Sequence, residues 1–220
     1  MKFQMNSTMI SRGLVAVLLI AVLASVAGCS KTLNGSWTWW GDDNDVPAEP
    51  ERIAIVCRGN AADAFSNPEI ASRLADAVSR KIDADFNHAE VVSQSEINNW
   101  LDNNSWNGPL EIGRALDADI VLAIDIKNYS ILDSTNTTSY RGTADLRVQT
   151  VICSTGQNSP PAELTNVVFP EEGAVQAGRT TSYLFSQGFV EELSGHVVQW
   201  MIDGPPEDQM ASVEDDTERF

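Results

Sequence analysis

Histidine is nearly missing from this 220-residue chain, with only His88 and His196. Cysteine is scarce as well: Cys29, Cys57 and Cys153 stand far apart, so no Cys-x-x-Cys exists. There is no Gly-x-Ser-x-Gly, no His-Glu-x-x-His and no glycine loop to cradle a phosphate. The recognisable forms of hydrolase, metalloprotease and nucleotide chemistry therefore go, and the chain is expected not to be an enzyme, with no cofactor and no metal. Positive charge is short too, at 14 Lys+Arg against 31 Asp+Glu, a net of −17. So acidic a surface argues against nucleic acid and anionic headgroups, and favours solubility or a basic partner. Finally, no apolar run reaches the roughly 20 residues needed to cross a bilayer as a helix.

What is present begins at the amino terminus. Lys2 and Arg12 give a basic start, no acid occurs before Asp42, and an apolar core of about a dozen residues follows Gly13. That is the length and flank of a secretory signal, and it closes on Val26-Ala27-Gly28-Cys29. These residues resemble the lipobox of bacterial lipoproteins. The resemblance implies a diacylglycerol on the Cys29 sulfur, cleavage after Gly28 and acylation of the new amino terminus. Two or three acyl chains anchor a protein stably where one does not. An uncleaved anchor, or a secretory signal with a chance cysteine, is the alternative; the short core and the cysteine at its end disfavour both. In that family's sorting rule Ser30, not being aspartate, directs the protein to the outer membrane, facing the periplasm.

Removing residues 1–28 leaves 12 basic against 31 acidic residues, a net of −19. About 190 residues remain, enough for one core and one domain. Residues 29–51 read as the lipidated cysteine and a flexible tether punctuated by Gly35, Gly41, Pro47 and Pro50. Within it stand Trp37, Trp39 and Trp40. Two readings remain open for them: contact with the membrane interface or a partner, or rings folded back onto the domain. The neighbouring Asp42-Asp43-Asn44-Asp45 lacks calcium-loop spacing. Residues 52–203 read as an α/β domain, and 204–220 as an acidic disordered tail.

Inside the domain, Ile53-Ala-Ile-Val56 is continuously apolar, as in a strand buried on both faces. Asn67 caps a helix with the stripe Ile70, Leu74, Ala77, Val78 and Ile82. A short strand over 88–92, a helix over 95–101 and another opened by Pro109 lead to a long strand over 119–132. Residues 140–153 alternate, with Ala144, Leu146, Val148, Thr150 and Ile152 on one side and Asp145, Arg147 and Gln149 on a wet one. A final strand over 164–169 precedes a long helix over 181–202. Phe185, Phe189, Leu193, Val197, Trp200 and Met201 form that helix's stripe, and Gly188 and Gly195 are placed for close approach to the sheet.

The order is β-α-β-α-α-β-β-β-α in a single mixed sheet. Strands one to three are parallel, an antiparallel extension follows, and the C-terminal helix packs on the sheet. With strand one between two and three, right-handed crossovers put helices on opposite faces. Cys57 and Cys153 then lie beyond the roughly 7 Å limit for a disulfide, and buried thiols are expected.

Residues 112–129, Ile-Gly-Arg-Ala-Leu-Asp-Ala-Asp-Ile-Val-Leu-Ala-Ile-Asp-Ile-Lys-Asn-Tyr, resemble the helix–Ala-Asp–strand segment of several envelope families. These are the curli-secretion lipoproteins, the N-terminal domain of the Tol-system propeller protein and the lipoprotein activators of peptidoglycan synthases. The resemblance implies a non-catalytic module binding other envelope proteins. No pair of amphipathic strands suggests a membrane barrel. A carrier for a small molecule, lipid or glycan, with its pocket on the wet face, is the alternative. Two pairs are weighed as chemistry: Glu192 with His196, as metal ligands, read as a structural contact, and the carboxylates Asp117 and Asp119, read as a cap and turn.

Overall fold

The computed structural model describes residues 50–59, 69–86, 89–133, 136 and 138–203. Cys29, the three tether tryptophans, the Asn67 cap, His88 and the acidic tail lie outside the described residues. In chain order the elements are β1 (Arg52–Gly59), α1 (Ile70–Asp85), β2 (Glu90–Val91), α2 (Gln94–Asn103), α3 (Pro109–Ala115) and β3 (Ile120–Leu132). Then come β4 (Ser139–Ile152), β5 (Ala162–Phe169), β6 (Val175–Gln176) and α4 (Ser182–Asp203). The fold is the expected α/β one: a single mixed sheet in the order β2-β1-β3-β4-β5, with β1 parallel to both neighbours and β4 and β5 antiparallel. β6, a two-residue strand beside the start of β4, is an addition that no periodicity could announce.

The β1 crossovers place α1 on one face and α2–α3 on the other. On the first face α1 and α4 bury Ile53, Ile55, Leu122, Ile124, Leu146 and Phe189. Every stripe residue expected of these two helices is buried. Arg73 stacks on Tyr183 and Arg80 pairs with Glu191, so α1 and α4 run in the same direction. α4 therefore ends at the same end of the molecule where β1 begins. On the second face α2 and α3 press Ile97 and Ile112 onto Ala54, Val56, Val121 and Val151.

Local corrections are instructive. α2 begins at Gln94, not 95, because Ser93 and Glu96 form a reciprocal capping box. Glu69 is the N-cap position of α1 and makes no side-chain cap. The close approaches are not at the α4 glycines: a Cβ on Gly195 would meet nothing within 4 Å, and one on Gly188 would sit 3.4 Å from Phe169. They are at Gly142 in β4, where a Cβ would lie 2.5 Å from the Phe189 ring, and at Gly113 in α3, against Cys153 and Val121.

Candidate functional site

Among the described residues, helices cover only half of the second face of the sheet. Above α2 and α3 the strands continue, and their register assembles a row that no single segment contains. Arg58 of β1 is paired with Asp125 of β3, Asp125 with Arg147 of β4, and Arg147 with Glu163 of β5. Signs alternate plus, minus, plus, minus across four strands about 4.8 Å apart. Arg147 Nε lies 3.7 Å from Glu163 Oε1, with both side chains close to half exposed. One row nearer the helices stand Val56, Ala123 and Gln149. One residue pair further out, Asp145 Oδ1 accepts a 2.7 Å hydrogen bond from Asn166 N, pinning the bulge where Asn166 takes a φ of 54°. Arg141 lies on the same side, since its neighbours Tyr140 and Gly142 meet Phe185 and Phe189 on the first face. The face thus carries Arg58, Arg141 and Arg147 against Asp125, Asp145 and Glu163, with the exposed Lys127 at the β3 irregularity as a further cation, in a chain whose net charge is −17.

Trp106, half-buried, borders this face. The Arg58 guanidinium sits 4.6 Å from its ring centroid, a cation–π contact that fixes both. Below it, a groove of about 510 Å³ runs between the start of α3 and the end of β4, lined by Asn107, Leu110, Arg114, Gln149 and Asn158. Arg114 is held there by its Nε, which donates to Cys153 O at 3.2 Å. Gln149 Nε2 donates to Ser159 O at 3.0 Å.

The other residues singled out in the sequence have structural employment. Asp119 Oδ2 accepts from Glu51 N and Arg52 N, each at 2.9 Å, and so clamps the start of β1. Asp117 sits in the left-handed region with a φ of 53°, at the turn into β3. Glu192 Oε1 and His196 Nε2 are 3.6 Å apart on the outside of α4. Among the described residues no three His, Cys, Asp or Glu side chains are grouped to hold a metal ion. Cys57 and Cys153 are free thiols, one packed against each core. Burial, reinforced by Asp125, pushes the Cys57 thiol far up. Burial and then Asp119 raise Cys153 to about 11, against the opposing Arg114.

Sequence reasoning found the wet side of β4 but missed the row, because Arg58, Asp125, Arg147 and Glu163 are 67, 22 and 16 positions apart. Trp106 carried a signal, an aromatic in an otherwise polar loop, that went unread.

No family model and no curated protein matches this sequence. Among solved structures, the PelC dodecamer from Paraburkholderia phytofirmans is similar with a TM-score of 0.43 and 9% identity, over 69% of this chain and 86% of that one. Lipoprotein GNA1162 from Neisseria meningitidis gives 0.40 and 11%, over 70% and 99%. Protein XCC0632 from Xanthomonas campestris gives 0.42 and 12%, over 71% and 88%. Likenesses this distant assign no function.

Proposed function

We propose that this chain is a lipid-anchored protein of the bacterial envelope, held at the outer membrane through Cys29 and facing the periplasm, whose folded domain docks another envelope protein without catalysing a reaction. The observation that carries the docking reading is the uncovered half of the second sheet face. Opposite charges paired across strands steady one another by roughly 0.2–1 kcal/mol a pair. Two members of the row are already held, Arg58 by the Trp106 ring and Arg147 by Glu163, so these side chains have less freedom to lose on binding. Elsewhere the acidic surface repels most proteins of the same sign; here cations at least match the carboxylates. Trp106 supplies the rigid aromatic border typical of contact residues that matter. The anchor rests on the lipobox resemblance. β1 begins and α4 ends at one end of the domain, so a tether of about 20 residues, extended to on the order of 70 Å, would enter there, away from the charged row at the far end of β1.

Two measurements test the two halves. Labelled palmitate is expected to incorporate into the full-length protein, and Cys29→Ser to shift it out of the membrane fraction. No incorporation together with unchanged fractionation would remove the anchor. Chemical crosslinking in intact cells, followed by purification of the full-length protein, is expected to recover one reproducible partner that the paired reversal Arg147→Glu with Arg58→Glu loses. Repeated recovery of none would remove the docking role.

The carrier reading has one observation in its favour, the groove of about 510 Å³ beside Arg114 and Gln149. Native mass spectrometry of the protein purified from its own envelope would show a co-purifying small molecule lost on Gln149→Ala. A ligand-free protein would dispose of that reading.

A further inference from the structure

At the β2 edge of the sheet the backbone is left open beside a helix wall. Glu90 N donates to Glu51 O at 2.7 Å, and Val92 N donates to Ile53 O at 2.9 Å. Because successive residues of a strand turn their polar groups to alternate sides, the N–H and C=O of Val91 point outward. The next outward carbonyl of β1 beyond the last β2 pair is that of Ile55. It is taken by a side chain: Gln94 Nε2 donates to Ile55 O at 3.0 Å and reaches Ser79 Oγ at 3.3 Å. The protein has therefore closed the β1 edge with an amide while leaving Val91 unfilled among the described residues.

Beside Val91 lies a groove of about 340 Å³ whose far wall is α1. Asp76, Ser79, Arg80 and Asp83 form that wall, at the spacing that puts helical side chains on one face. Arg80 is drawn away to α4, its Nη2 2.7 Å from Glu191 Oε1. Asp76 and Asp83 are exposed and have no ion pair among the described residues, so the wall presents two uncompensated carboxylates two turns apart.

We infer that this groove takes an extended, basic segment of a partner protein, which pairs its backbone with Val91 and sets cationic side chains against Asp76 and Asp83. Addition of a strand to a free sheet edge draws affinity from main-chain hydrogen bonds and selectivity from the flanking wall. β2 is only two residues long, so the edge alone offers one donor and one acceptor, and the α1 carboxylates decide which strand stays. The inference rests on the reading of this protein as a docking module, but it names a surface separate from the charged row and a partner of defined chemistry.

The test uses full-length protein in non-ionic detergent and a fluorescent, N-acetylated and C-amidated heptapeptide of alternating lysine and valine, followed by anisotropy. The peptide is expected to bind. Val91→Pro removes the outward N–H and leaves the bonds to β1, at the cost of some packing of a half-buried side chain on the first core, and is expected to weaken binding about tenfold. The double reversal Asp76→Lys with Asp83→Lys should weaken it by at least as much, and a glutamate–valine peptide should not bind. Should Val91→Pro fail to fold by circular dichroism, the lysine peptide with N-methylated amides probes the same hydrogen bonds. Failure of the lysine peptide to bind overturns the inference. So does equal binding by the N-methylated peptide, which would mean charge attraction alone. Arg147→Glu is expected to leave peptide binding unchanged. Partner recovery that depends on Arg147 while the peptide does not bind would remove this site and leave the docking reading standing.

Discussion

The same strands make both faces of the sheet, residue by residue in alternation, yet the faces differ in kind. The first is closed along its whole length by α1 and α4 and holds the larger core. Among the described residues the second is closed where Ala54, Val56, Val121 and Val151 lie under α2 and α3, and above them it turns to charge. The lesson lies in β3. Its opening residues Ile120, Val121 and Leu122 are buried on both sides, whereas Asp125, three residues further on, breaks the apolar run on one side only. A continuous apolar run measures how far helices extend over both faces, and the first charge marks where cover ends.

Four perturbations sharpen this contrast. Phe189→Ala should cost the most, about 3–5 kcal/mol in a denaturant titration, because the ring is fully buried between Tyr129, Phe169 and Gly142. Gly142→Ala forces a methyl into that ring and should cost roughly 1–3 kcal/mol, readable as a lowered midpoint at unchanged slope. The thiols come next. Cys153 titrates near 11 when folded, above the ordinary 9.0, and Cys57 is displaced further in the same direction. A raised thiol keeps its proton in the folded state while the unfolded chain gives it up, so their contribution is intact below pH 9 and is lost progressively as pH rises through 11. Thermal scans should show stability falling over that window, and thiol reagents at pH 8 should label Cys57 and Cys153 only after unfolding. Replacing Arg147 by the neutral Gln should do least, about 1 kcal/mol or less, since its pairing with Glu163 is half exposed. A large loss there would mean that the row is a structural brace and not a presented surface.

The core was legible because it is written in local periodicity. The α1 and α4 stripes and the inward side of β4 are all patterns within one segment, and all are buried. The position of β1 between β2 and β3 was a supposition supported by the two-sided apolar runs of β1 and β3; handedness then put the helices on opposite faces. The charged row was not legible, because it depends on the register of three strand pairings, two of which shift at irregularities. The glycines misled for a related reason. Gly188 and Gly195, seven apart on one helix, look like a contact stripe, but the tight contact is made by an inward-facing strand glycine, Gly142, beneath Phe189. A missing side chain in an alternating strand, across from a surplus of aromatics in a later helix, is the signal that would have found it. The α1–β2 groove had no signature at all, because it joins a helix face to a backbone edge.

The central claim is that the uncovered half of the second face is where this protein meets its partner. Its most direct test is a photo-crosslinking amino acid placed singly at position 143, on the same face beside the charged row, and at position 187, on the exposed outside of α4, in cells that natively produce the protein. The account predicts a discrete protein adduct from position 143 that is absent from position 187 and lost when Arg58 and Arg147 are reversed to Glu. No adduct at 143, or the same adduct from both positions, would contradict it.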